Sequence, residues 1–221
     1  MRIIDAHVHV LSTYEPMDPF PDTGRVDRLL YLMDDAGVEK AVMLPVVAPF
    51  SPENNADCAR WAREHADRLA TMTDVALHET DAAERVARAR EAYDCVAISY
   101  YPNSADIAWM LDEERAPLWQ AFVDSGLVCN LQVTPPNYGT LLTLAQRYPN
   151  VPFLCNHLGL PSSLDPADVT YGRLDEAAAL VGDDLRHPSD LRQGQASIPI
   201  DMNLHLQDQL PYSRIARNLS D

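Results

Sequence analysis

Two histidines stand one residue apart near the start of the chain, in Asp5-Ala6-His7-Val8-His9. The surrounding text is apolar and β-branched, so the segment reads as a strand whose end carries the histidines. In a strand, alternate side chains share a face, which places Asp5, His7 and His9 together. Two imidazoles at i and i+2 can grip one divalent cation from the same side, and Asp5, deeper on that face, is placed to orient a ligand from behind. A bare His-x-His pair is weak evidence, since strand ends often carry ordinary histidines. His157 strengthens it. The run Phe153-Leu154-Cys155-Asn156-His157-Leu158-Gly159 is a second apolar strand ending in histidine and then glycine. Three imidazoles at the ends of parallel strands form the nitrogen set that catalytic zinc uses, with a fourth position open to water. Imidazole suits several ions, so zinc is favoured without being fixed.

Other polar residues fall at strand ends. Gln132 and Asn130 share a face of one strand, where an amide can hold a substrate oxygen or simply meet backbone. Ser99 and Tyr101 share a face of another, and Tyr101 is placed to donate to a substrate or to cap the strand end. His65 reads as a solvent-facing helix residue, and His78 opens a surface loop. No Gly-x-Ser-x-Gly elbow is present to support a serine nucleophile. Cys58, Cys95, Cys129 and Cys155 form no Cys-x-x-Cys pair, and the last three sit in apolar runs, where a thiol is raised in pKa and inert.

The elements that must position these residues repeat. Strands are expected over 2–10, 40–47, 69–77, 95–101, 127–134 and 151–157, and helices over 26–36, 55–68, 81–92, 117–125 and 140–147. Gly37 and Gly126 follow two of the helices as C-caps, and Asp81 caps another at its start. Six βα units imply a parallel sheet with right-handed crossovers. No Gly-x-Gly-x-x-Gly or phosphate loop follows the first strand, which disfavours a nucleotide-binding sheet and favours a barrel. The 221 residues are short for eight units. Residues 182–197 are polar and break the pattern. A strand over 198–205 is compatible with its alternation, with Pro199 pushing it toward an edge.

Bulk composition narrows the partners. The formal charge is −16, from 33 acidic and 17 basic residues, so there is no basic footprint for nucleic acid or anionic lipid. Apolar residues make up 47% of the chain, enough for a sizeable core, and no apolar run approaches a membrane span. The start lacks the apolar stretch of a secretory leader, and a cytoplasmic protein is expected.

Taken together, "IIDAHVHV", "PLWQAFVDSGLVCNLQV" and "YPNVPFLCNHLGLP" resemble the amidohydrolase superfamily, in its amidohydrolase-related branch of lactone hydrolases and metal-dependent decarboxylases. The resemblance covers roughly residues 1–161. It implies an α/β fold, a (β/α)8 TIM-type barrel, with His7 and His9 as ligands from the first strand and His157 from the sixth. Units one to six would occupy residues 1–181, and 182–221 would form a divergent tail of the same domain, replaced or truncated relative to the family. Two departures matter. Binuclear relatives bridge their metals with a fourth-strand lysine, whereas the one lysine here is Lys40, on the second strand. A single divalent ion is therefore expected. The family's eighth-strand aspartate, set in a Gly-Ser-Asp-Trp-Pro-like run, has no counterpart, and Asp201 is the candidate to replace it. The resulting expectation is a hydrolase that activates water on one ion to open a lactone or related cyclic ester or amide, with Asp201, Gln132 and Tyr101 assisting. The alternatives are non-oxidative decarboxylation of a small aromatic or unsaturated acid, and an inactive barrel that binds a ligand or partner. A missing barrel edge would be covered by the tail or by a second copy in a homodimer.

Overall fold

The computed structural model describes residues 3–11, 24–47, 51–103 and 105–156. His157, Asp201 and the proposed strand over 198–205 lie outside them. Six parallel strands follow one another in chain order, each beside the next, with helices between them. The chain divides into two compact units: residues up to 74 together with 89–99, and residues 75–88 with those from 100 onward through the described range.

The first unit contains β1 (Ile4–Val8), α1 (Val26–Ala36), β2 (Lys40–Met43), α2 (Asn54–Glu64) and β3 (Leu69–Asp74). Its core joins Val8 and Val10 of the first strand segment, Ala41 and Met43 of β2 and Leu69 of β3 to Leu29 and Met33 of α1 and Cys58 and Trp61 of α2. These strand residues define the helix-packed face, so the neighbours between them point the other way. Gly37 ends α1 at φ 69°, a left-handed conformation that a Cβ resists, and Val38 N–H closes the cap on Met33 O at 2.8 Å.

The first unit also receives the end of α3 (Ala82–Tyr93) and the start of β4 (Ala97–Asn103), whose Ala97, Ile98 and Ser99 pair with Met72, Thr73 and Asp74 of β3. Asp81 precedes α3 as expected, and its carbonyl accepts Arg85 N–H at 3.0 Å.

The second unit holds α4 (Ala116–Ser125), β5 (Val128–Val133), α5 (Tyr138–Arg147) and β6 (Phe153–Cys155). Trp119 of α4 is fully buried; its ring stacks on Phe122 and Tyr148 and touches Phe153, and its indole N–H donates to Met110 O at 2.9 Å. Phe153 therefore lies on the helix-packed face of β6. Gly126 ends α4 at φ 63°.

Most strands are shorter than the sequence suggests, and the reason is physical. The expected strand over 40–47 stops at Met43 because Pro45 has no N–H for the ladder and the next amides bond elsewhere. The strand expected over 151–157 stops at Cys155, with Asn156 already turning away.

Candidate metal centre

His7 and His9 leave β1 on the face opposite Val8 and Val10. His7 is buried and His9 half-buried. Their Nε2 atoms approach to 3.2 Å with the rings almost perpendicular, at 89°. His9 Nδ1 lies 2.8 Å from Leu44 O. A carbonyl only accepts, so His9 carries its proton on Nδ1 and, when neutral, keeps a bare lone pair on Nε2. Without a cation, His7 Nε2–H donates across the gap. In its other tautomer His7 presents a second lone pair to the same point. Two nitrogen ligands on a tetrahedral ion, at zinc–nitrogen lengths, lie roughly 3.3 Å apart. The spacing and the donor chemistry therefore fit a divalent cation, and the carbonyl behind His9 is the support that ligating imidazoles characteristically have.

The expected alignment of Asp5 with the histidines is changed by a bulge. Asp5 pairs with Ala41 and Val8 with Met43, so β1 spends one residue more than β2 across this interval. Alternation is lost between Asp5 and His7, and the Asp5 carboxylate accepts the backbone N–H of His7 at 3.1 Å. Asp5 thus steadies the strand where it bulges.

The segment after β2 is pinned on every side. Leu44 N–H donates to Val8 O at 2.8 Å, Val46 N–H to Asn54 Oδ1 at 2.8 Å, and Val47 N–H to Asp74 Oδ2 at 3.1 Å. Asn54, fully buried at the start of α2, also donates to Val10 O at 2.8 Å. Asn55 clamps the backbone of Asp74, accepting its N–H at 2.8 Å and donating to its carbonyl at 2.9 Å. Burial pushes the Asp74 carboxyl above the usual carboxylate range, against the opposing pull of Val47 N–H. Sequence reasoning missed Asp74, Asn54 and Asn55. The only signal was polar residues at the edges of apolar elements.

In the second unit, Gln132 and Tyr101 are half-buried, on β5 and β4, while Asn130 is fully buried. Asn156 is fully buried and neither polar atom of its amide has a partner, and Thr134 Oγ1 is in the same condition. His78 is exposed, as expected of a loop, and its Nδ1 meets Tyr100 Oη at 3.1 Å. Arg115, which the sequence did not single out, donates to the carbonyls of His78 and Glu79 and lies over the Trp109 ring. The four cysteines are buried free thiols, and burial raises Cys58 and Cys155 to about 12. Among the described residues no three His, Cys, Asp or Glu side chains gather to hold an ion, His157 being outside them. No described helix is long and apolar enough to cross a membrane.

No curated protein matches the sequence. Solved structures share its fold. A probable 2-pyrone-4,6-dicarboxylic acid hydrolase from Acinetobacter baumannii is 14% identical, over 99% of this chain and 92% of that one, with a TM-score of 0.61. A 5-carboxyvanillate decarboxylase from Sphingomonas paucimobilis is also 14% identical, over 98% and 92%, with a TM-score of 0.61. An amidohydrolase from Burkholderia multivorans, solved with bound zinc, is 17% identical over 100% and 78%, with a TM-score of 0.64. The fold is that of the TIM-barrel amidohydrolases. A family model described as amidohydrolase matches residues 4–187, and the chain belongs to that family, whose members are enzymes.

Proposed function

We propose that this protein is a metal-dependent hydrolase that opens a lactone or a related cyclic ester or amide on a single divalent ion, zinc being favoured. The observation that carries the reading is the convergence of His7 and His9 Nε2 at 3.2 Å, with His9 fixed by Leu44 O. His157 is the third ligand in this proposal. A bound ion of this kind supplies Lewis acidity and brings the pKa of a coordinated water toward neutrality. The chain's own groups do the rest. Leu44 O keeps the His9 Nε2 lone pair turned toward His7 Nε2, where the two imidazoles would hold the ion. The Gln132 amide and the Tyr101 hydroxyl hold the substrate carbonyl and its neighbouring oxygen, and Asp201 carries the proton between water and leaving group. The net charge of −16 argues for a small-molecule substrate and against nucleic acid or anionic membrane partners. A second copy of the chain covering an edge of the sheet is part of the same reading, and light scattering after gel filtration tests it.

The alternative reading, decarboxylation of a small aromatic or unsaturated acid, is favoured by one observation: a decarboxylase shares the fold as well as a hydrolase does. One experiment separates the possibilities. Purified protein is analysed for bound metal, loaded with zinc or manganese, and offered a panel of lactones and of aromatic carboxylic acids with mass-spectrometric readout. Ring opening with about one equivalent of metal, lost in His7→Gln and His9→Gln, supports the hydrolase. Release of carbon dioxide replaces it with the decarboxylase. A chain that holds no metal and turns over neither panel is the inactive, ligand-binding barrel.

A further inference from the structure

The imidazole pair is held by more than its own strand. The path runs within one unit: His9 Nδ1 to Leu44 O at 2.8 Å, then along Leu44-Pro45-Val46-Val47, then from Val47 N–H to Asp74 Oδ2 at 3.1 Å. Pro45 makes this short path stiff. Its ring locks its own φ and restricts Leu44 to extended conformations, so the carbonyl of Leu44 cannot rotate freely while Val47 is held. Asp74 is itself immobilised at the end of β3, because Asn55 takes both its N–H and its carbonyl. The result is a half-buried carboxyl with a fixed backbone, bonded to the loop that orients a candidate ligand. Neither the core nor the ladder needs a carboxyl there, and burial opposes its charge.

We propose that Asp74 is a positioning residue for the His7–His9 pair. By holding Val47 N–H it fixes the 44–47 segment, and Leu44 O then fixes His9 with Nδ1 protonated and its Nε2 lone pair turned toward His7 Nε2. The proposal rests on the metal-site reading for its consequence, which is metal affinity, but the orientation of His9 exists without any ion. The two can therefore fail separately.

The test uses the full chain as wild type, Asp74→Asn, Asp74→Ala and Asp74→Val. Asparagine keeps an acceptor for Val47 N–H. Alanine and valine remove it, and valine keeps the volume should alanine fail to fold. Met33→Ala, a core truncation in α1, controls for destabilisation alone. Two quantities are read: the tautomer of His9 by long-range nitrogen NMR on metal-free protein, assigned through His9→Gln, and the dissociation constant for cobalt(II) from its visible absorption. The expected result is a single Nδ1–H tautomer in wild type and Asp74→Asn, and a mixed one in Asp74→Ala and Asp74→Val. Cobalt binding should weaken by about 10- to 100-fold in the latter two, the usual effect of losing a supporting contact, and stay within about threefold in Asp74→Asn and Met33→Ala. The proposal is overturned if the alanine and valine variants keep the wild-type tautomer and affinity, or if Met33→Ala reproduces their losses. If wild type binds no cobalt while the tautomer still depends on Asp74, positioning stands and the metal-site reading falls.

Discussion

Asn54 offers the sharpest measurement of what the loop after β2 contributes. It is fully buried, and its amide satisfies two backbone groups at once: it accepts Val46 N–H and donates to Val10 O, each at 2.8 Å. Asn54→Ala removes both partners. A buried backbone group left unpaired costs about 1–3 kcal/mol. Two facts place each loss toward the lower end. Val46 is only half-buried, so water can reach its N–H, and the Cys58 thiol, 3.7 Å from Val10 O, remains as a weak donor. The sum is about 3 kcal/mol, and in a chain of this size it lowers Tm by about 6–12 °C. Asn54→Asp sharpens the test. Above the pKa of the new buried carboxyl, the charged oxygens face Val10 O without a donor. Below it, the protonated acid donates to Val10 O while still accepting Val46 N–H. Its folded-state pKa must therefore be raised, and stability relative to wild type is retained at acid pH and lost as pH rises. Thermal unfolding across an acid-to-neutral series reads both effects. A drop of less than 2 °C for Asn54→Ala, or a pH-independent deficit for Asn54→Asp, refutes the view that this amide ties the loop to the strand carrying the histidines.

Asp74→Asn is expected to raise Tm at neutral pH. The folded carboxyl titrates above the unfolded one, so its favourable contribution is present in acid and lost as pH rises through the folded value, while asparagine carries no such penalty; a gain that fails to grow from acid to neutral pH counts against this. Trp119→Ala removes a fully buried ring packed on three aromatic neighbours and leaves Met110 O without its indole donor, for a loss of about 3–5 kcal/mol by urea unfolding. Native protein is expected to show no fast-reacting thiol toward an aromatic disulfide reagent, because all four cysteines are buried and none is activated; full reaction should need denaturant.

The sequence made the alternation of strands and helices plain, because apolar runs of period two and 3.6 differ wherever one face is buried. Helix 26–36 is found at the expected bounds, and Gly37 and Gly126 take the left-handed conformation that a cap after the helix demands. What could not be read is whatever depends on partners distant in the chain. The bulge in β1 exists only in the pairing with β2, so no inspection of Asp5–His9 reveals that alternation fails there. Asp74 looked like one more position in a strand over 69–77, because its carboxyl acquires meaning only when Val47 N–H arrives from another loop. Asn54 and Asn55 read as polar helix residues, yet each satisfies backbone groups far along the chain. Arg115 gave no sign because its partners are carbonyls, which every residue has.

The number of ions in the proposed site follows from the donors available on the described strands. A second ion beside the first needs a ligand that bridges or faces it, and in the binuclear enzymes that the sequence resembles this ligand comes from the fourth strand. The seven residues of Ala97–Asn103 are Ala, Ile, Ser, Tyr, Tyr, Pro and Asn, with no lysine, histidine, cysteine or carboxylate among them. On β5 the one soft donor is Cys129, fully buried, with its thiol pushed far up by desolvation, so a thiolate there is strongly disfavoured. Lys40 begins β2, at the opposite end of that strand from Leu44, whose carbonyl holds His9. Asp74 spends one carboxylate oxygen on Val47 N–H, and burial weighs against its charge unless a cation approaches. The donors that do converge are the imidazoles of His7, on β1, and of His9, just beyond its end. A titration of metal-free protein should therefore saturate near one equivalent of divalent ion, and a clear second equivalent of similar affinity would mean that ligands outside these strands complete a binuclear site.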